Sequence, residues 1–160
     1  MTEAAAPYAT PLLARHETLD AKIVEFGGWL MPLQYAGILE EHRAVRERVG
    51  LFDVSHMGEV EVRGGDAAAA LQRLTCNDVS KLADGRIHYS ALLTERGTFV
   101  DDVLVYRRAA DAYLVVVNAS NTPKDFAWMS SRASGDVAVT DRSDAYALIA
   151  VQGPAAAGLM

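Results

Sequence analysis

Gly97-Thr98-Phe99-Val100-Asp101-Asp102-Val103-Leu104-Val105-Tyr106 is an apolar, strand-like run with two carboxylates set inside it, and its reading decides the fold. β-Branched, aromatic and large apolar residues dominate it. The turn former Glu95-Arg96-Gly97 divides it from a second run over residues 87–94, and the two predict a β-hairpin. Successive strand side chains point to opposite faces, so Asp101 and Asp102 must look opposite ways. Asp102 shares its parity with Val100, Leu104 and Tyr106. That predicts a desolvated carboxylate flanked by apolar groups, with a raised pKa unless donors compensate, the setting of an acid that binds or polarises a ligand amine. The structural alternative is a solvated edge position, or pairing with Arg107 or Arg108.

Working outward, residues 113–117 read as a strand that pairs back across a turn at 109–111. A helix is expected over 123–132, with Pro123 in its first turn and Phe126 and Met129 on its apolar face. Residues 137–139 and 146–151 read as two further strands, the second with no partner evident after it, and Gln152-Gly153-Pro154 opens another helix. Upstream, residues 58–63 alternate with Val60 and Val62 on one face, and Gly64-Gly65-Asp66 leads into a helix at 67–74 with Asp66 as N-cap. Ile38, Leu39, His42, Val45 and Val49 recur at helical spacing over 36–49, an amphipathic helix stopped by Gly50. Residues 20–26 read as a short strand, 27–35 as a packed surface turn, and 1–15 as an extended arm. The order predicts an α+β fold, a mainly antiparallel sheet with flanking helices.

At 160 residues and 51% hydrophobic content the chain can bury a core for one domain or one and a part. Its net charge of -6 argues against a nucleic-acid partner, which calls for a basic face. Cys76 stands alone, so neither an internal disulfide nor a cysteine-based metal site is available, which fits a reducing compartment. His16, His42, His56 and His88 have no recognised metal spacing, so no metal is expected. No apolar stretch reaches the roughly 18 residues of a membrane span, and the first ten residues lack a secretory core, so a cytoplasmic protein is expected. His56 reads as a structural histidine, Cys76 as a small helix-end hydrophobe, and Lys124-Asp125 as a solvated helix start. Trp29 and Tyr35 read as packing residues or as one wall of an entrance.

Several blocks can be compared with known families: Thr10-Pro11-Leu12, Phe26-Gly27-Gly28-Trp29 with Met31-Pro32-Leu33 and Tyr35, Phe52-Asp53-Val54-Ser55-His56-Met57-Gly58, Asn77-Asp78, Tyr89-Ser90, Asp101-Asp102 with Tyr106, Val116-Val117-Asn118-Ala119, Lys124-Asp125 and Val151-Gln152-Gly153-Pro154. In order and spacing they closely resemble the glycine cleavage system T-protein family, tetrahydrofolate-dependent aminomethyltransferases. Thr98 departs from the pattern, standing where the family often has a second glycine.

The resemblance implies a three-domain clover-leaf protein holding tetrahydrofolate in a central cavity. Residues 1–52 would be the first segment of a discontinuous first domain, 53–141 the second domain, and 142–160 the start of the return. The chain would then be an N-terminal fragment, inactive by itself, without the rest of domain one and all of domain three. The implied reaction passes a one-carbon unit from the aminomethyl-lipoyl arm of the H-protein to tetrahydrofolate, releasing ammonia and giving methylenetetrahydrofolate. No metal, nucleic acid or membrane is involved. By the same resemblance Asp102 is the catalytic residue, and Met57, Tyr89, Leu104, Tyr106 and Asn118 line the pterin pocket with it. Competing readings are a related folate-dependent demethylase or folate-binding repair factor, and a non-catalytic α+β interaction module.

Overall fold

The computed structural model describes residues 6–160. In chain order the elements begin with β1 (Tyr8–Ala9), α1 (Leu13–Thr18), β2 (Lys22–Phe26), β3 (Trp29–Gln34), α2 (Ile38–Glu47) and β4 (Gly50–Asp53). There follow β5 (Gly58–Arg63), α3 (Ala67–Leu74), β6 (Ile87–Leu93), β7 (Phe99–Ala109) and β8 (Ala112–Val117). The chain closes with α4 (Thr122–Arg132), β9 (Ala138–Asp141), β10 (Ile149–Gln152) and α5 (Ala156–Leu159). This is the predicted α+β class, with nearly all strand pairs antiparallel. The fold forms two compact units, one of the described residues up to His56 with Ala147–Met160, the other Met57–Tyr146.

In the first unit β2 and β3 form a hairpin where a packed turn over 27–35 was expected. Gly27 and Gly28 alone make the turn, at φ of 58° and 84°. Two successive left-handed residues suit a tight hairpin whose twist matches its strands, and glycine adopts them without a Cβ penalty. The amino-terminal arm also differs from expectation. Tyr8–Ala9 adds in parallel to β3, with the Tyr8 ring 5.2 Å from that of Trp29, and residues 13–18 coil into α1.

A polar cluster ties this arm down. Thr10 Oγ1 donates to Asp53 Oδ2 at 2.6 Å, His16 Nε2 meets the same oxygen at 2.8 Å, and Tyr35 Oη meets His16 Nδ1 at 2.7 Å. Burial alone would raise the Asp53 carboxyl, but the bonds from His16, Ser55 and Thr10 hold it below the ordinary range. The strand expected over 146–151 contracts to β10, and its partner lies earlier in the chain: Ile149 faces Asp53 and Gln152 faces Gly50 in β4. The Ser55 hydroxyl fastens the approach, accepting from Leu148 N at 3.0 Å and donating to Leu148 O at 3.3 Å. The amphipathic helix is present as α2, but Ile38 and Leu39 on it stay exposed.

The second unit is a five-stranded sheet in the order β6-β7-β8-β5-β9. Its core gathers on one face, where Val60, Val62, Val103, Val105, Tyr113, Val115 and Val117 cluster with Leu71 and Leu74 of α3 and Met129 of α4. Removing side chains of this size from water is worth roughly 1.5–3 kcal/mol each, so this face holds the unit together. Asp66 occupies the N-cap position of α3 but makes no capping bond. Its Oδ2 instead accepts from Asp136 N at 2.8 Å, joining the start of α3 to the approach to β9.

Candidate functional site

The predicted hairpin is β6 and β7, with Tyr89 facing Leu104, Ser90 facing Val103 and Ala91 facing Asp102. Parity separates the two aspartates as expected, with the opposite assignment of burial. Asp101 shares the helix-covered face with Val103 and Val105 and is 9% exposed, whereas Asp102 is exposed. The expectation of a desolvated Asp102 is therefore corrected. Leu104 and Tyr106 are only half-buried, because the core helices pack on the other side, whereas Val100, the extra residue where the register with β6 shifts, packs against the core instead.

What distinguishes Asp102 is its bracing. Tyr89 Oη donates to Asp102 Oδ2 at 2.6 Å, and Asn118 Nδ2 donates to Asp102 Oδ1 at 3.1 Å. The same Asn118 nitrogen lies 3.2 Å from Asp102 O and 3.0 Å from Asp101 Oδ1, so one amide bridges the two carboxylates. Asn118 follows directly on the last residue of β8, which places it beside Asp102. The bond to Asp102 raises the Tyr89 phenol above its ordinary pKa.

Leu104 lies between Tyr89 and Val116, and Tyr106 sits one row along, between Ile87 and Leu114. Burial, and then the nearby Glu59 carboxyl, raises the Tyr106 phenol. Gly58 faces Val117, so Met57, half-buried, stands at the level of Asn118. The sheet thus brings Tyr89, Asp102, Leu104 and Asn118 into one patch, with Tyr106 at one side and Met57 at another.

Of three other sequence expectations, two change. Cys76 is exposed, its Sγ 3.7 Å from Ser90 Oγ, so it is not a packed hydrophobe. His56 packs edge-on to Phe26 with centroids 6.5 Å apart, as a structural histidine would, and burial holds its pKa below the ordinary value. Its Nδ1 is buried without a partner. Of the pair read as a solvated helix start, Lys124 is outside and donates to Val100 O at 2.8 Å, but Asp125 is fully buried at 0% exposure.

Two carboxyls escaped sequence reading. Glu59 lies opposite Val116, in the row of Tyr89 and Leu104, is 1% exposed, and has no donor on either oxygen. Burial, with Asp141 nearby, pushes it up to about 7. The alternation Glu59-Val60-Glu61-Val62 marks only the valine face, and of the two acids opposite it Glu61, half-buried, has a partner, accepting from Arg63 at 3.0 Å. Asp125 is the second. Burial and contact with the Asp101 carboxyl push it up to about 7, and Asp101 is held low: burial opposes that, but Asp125, Asn118, Asn121 and Lys124 outweigh it.

Among the described residues no group of three or more His, Cys, Asp or Glu side chains is placed to hold a metal, and no helix is long and apolar enough to cross a membrane. Residues 12–160 match the family model of the GCVT N-terminal domain. The chain is 55% identical over 146 residues to an aminomethyltransferase of Desulfitobacterium hafniense, covering 91% of this chain and 40% of that protein. It is 56% identical over 147 residues to an aminomethyltransferase of Geobacillus thermodenitrificans, covering 92% and 40%. The crystal structure of glycine cleavage system aminomethyltransferase T from Bartonella henselae superposes with a TM-score of 0.87 at 39% identity, over 94% of this chain and 42% of that one. The chain therefore spans about two fifths of the length of the relatives it matches, and it belongs to the family of the GCVT N-terminal domain.

Proposed function

We propose that this chain carries the folate-facing catalytic portion of a glycine cleavage aminomethyltransferase. The protein would transfer a one-carbon unit from the aminomethyl-lipoyl arm of H-protein to tetrahydrofolate, releasing ammonia and giving methylenetetrahydrofolate. The observation that carries this is the Asp102 carboxylate, held by Tyr89 and Asn118 on a half-open apolar patch beside Leu104 and Tyr106. A flat heteroaromatic ligand suits such a patch. Tyr89 and Tyr106 offer ring faces, and Met57 and Leu104 offer adaptable apolar contact. Asp102, oriented by Tyr89 and Asn118, is free on its remaining lone pairs to accept a proton from the ligand amine as the amine attacks the one-carbon unit. That the relatives are aminomethyltransferases favours this reading over a demethylase or a non-catalytic module.

On this reading the Met57–Tyr146 unit is the second domain, and the unit before it with Ala147–Met160 is the discontinuous first, closed by the β4–β10 pair. The test is tetrahydrofolate binding to the full-length gene product carrying Tyr89→Ala with Tyr106→Ala. Loss of two ring contacts predicts about tenfold or more weaker binding. Unchanged affinity and turnover would remove this patch from the site.

A further inference from the structure

Asp125 is the most deeply buried carboxyl in the second unit, and the proposed reaction gives it no part. It lies in the first turn of α4, behind the sheet, with neither oxygen receiving a donor. Asp101, whose side chain it meets, has its own Oδ2 buried without a donor. Two ionised carboxylates cannot satisfy each other. One proton between them turns the contact into a hydrogen bond and removes the repulsion. The helix N-terminus favours an anion at Asp125 by only about 0.3–1 kcal/mol, less than an unpaired buried charge costs. Lys124 Nζ, 3.4 Å from Asp125 Oδ1, is half-exposed and also bonded to Val100 O, so it gives partial relief.

We propose that Asp125 is a positioning residue: through a proton shared with Asp101 it fixes the Asn118 amide that braces Asp102. The chain of contacts is continuous. Asp125 meets Asp101, Asp101 Oδ1 accepts from Asn118 Nδ2 at 3.0 Å, and that nitrogen donates to Asp102 Oδ1 at 3.1 Å. The charged group acting on the pair is Lys124 from α4, with Asn118 and Asn121 as the neutral donors, and Asp102 from β7 is joined to it through the shared Asn118 amide. Loss of the shared proton would leave two anions in contact, push Asp101 away from Asp125 and carry the Asn118 amide with it. The inference rests on the reading of Asp102 as the site's carboxylate.

The test is the pH dependence of kcat/KM for aminomethyl transfer by the full-length gene product, with thermal unfolding measured alongside. Wild type should lose activity as pH rises through about 7, where Asp125 gives up its proton. Asp125→Asn donates permanently from its amide, so activity should be retained and this limb lost. Asp125→Leu keeps bulk without a donor, and the misplaced brace should cost about 100-fold in kcat/KM. A folded Asp125→Leu protein with wild-type activity, or an Asp125→Asn profile that keeps the limb, overturns the proposal. Where Asp125→Leu does not fold, the Asp125→Asn profile decides. Asp102→Asn in the same assay separates the two ideas. If it is inactive while both Asp125 variants match wild type, only the positioning role fails; if it is fully active, the site reading fails.

Discussion

Tyr89 and Asp102 meet diagonally across the β6–β7 pair, phenol oxygen to carboxylate oxygen at 2.6 Å, although Tyr89 lies directly opposite Leu104 and Asp102 opposite Ala91. Diagonal neighbours on a sheet are within reach of a long aromatic side chain, and the small Ala91 leaves the way clear. The contact makes one unit of an exposed carboxylate and an exposed ring.

That contact predicts an optical signature. The bond to Asp102 raises the Tyr89 phenol, so Asp102→Asn should bring its titration back toward the ordinary tyrosine value near 10. Ultraviolet titration of Asp102→Asn, with Tyr89→Phe to assign the signal, checks it. An unmoved Tyr89 titration in Asp102→Asn would show that the two side chains do not pair in solution.

Glu59 predicts how stability varies with pH. Its folded pKa is raised from 4.5 to about 7, so the folded state binds the extra proton. The stability this gives is fully present below about pH 4.5 and is lost as pH rises through 7, a change on the order of 3 kcal/mol. Glu59→Gln, uncharged throughout, should flatten the fall of melting temperature between pH 5 and 8 relative to wild type (about 5 to 8 brackets the shift). Parallel melting curves for the two proteins would contradict the burial of an unpaired carboxyl.

Gly153 predicts a strict requirement at the end of β10. Its φ is +120°, and a Cβ there would meet Arg48 O at 2.6 Å and Val45 O at 2.7 Å, both backbone atoms that cannot swing aside. Gly153→Ala should therefore destabilise the first unit by about 1–3 kcal/mol from backbone strain alone, with more from the clash. Chemical denaturation measures it, with Gly158→Ala, where a Cβ meets nothing, as the control. Equal midpoints for both variants would sink the claim.

Much of this fold is legible because its signals are local. Strand β5 shows alternation, and Val60 and Val62 share the buried face their spacing assigns. What escaped depends on distant partners. Two glycines and Pro32 make residues 27–35 read as a turn, and only pairing with β2 shows that Trp29–Gln34 is a strand. The partner of β10 is β4, nearly a hundred positions earlier, beyond the reach of any local pattern. At the site, parity separated Asp101 from Asp102 but could not say which face the helices cover. Apolar neighbours pointed to Asp102 as the buried one, yet α3 and α4 pack against Val103 and Val105, and Asp101 is buried with them. Asp125 escaped for the same reason: a Lys-Asp pair at a helix start carries no mark of the carboxyl it will meet.

The central claim is that Asp102 handles the proton of the folate amine, and it is tested by single-turnover aminomethyl transfer from lipoylated H-protein to tetrahydrofolate. The full-length gene product would be assayed as wild type, Asp102→Asn and Asp101→Asn. The account predicts that Asp102→Asn loses about 100- to 10,000-fold in rate, since the amide keeps the shape but accepts no proton. Folate affinity should change far less, because Tyr89, Leu104 and Tyr106 remain. Asp101→Asn should chiefly alter stability, through Asn118 and Asp125, with a smaller effect on rate. An Asp102→Asn protein that turns over normally, beside an inactive but folded Asp101→Asn protein, would contradict the assignment.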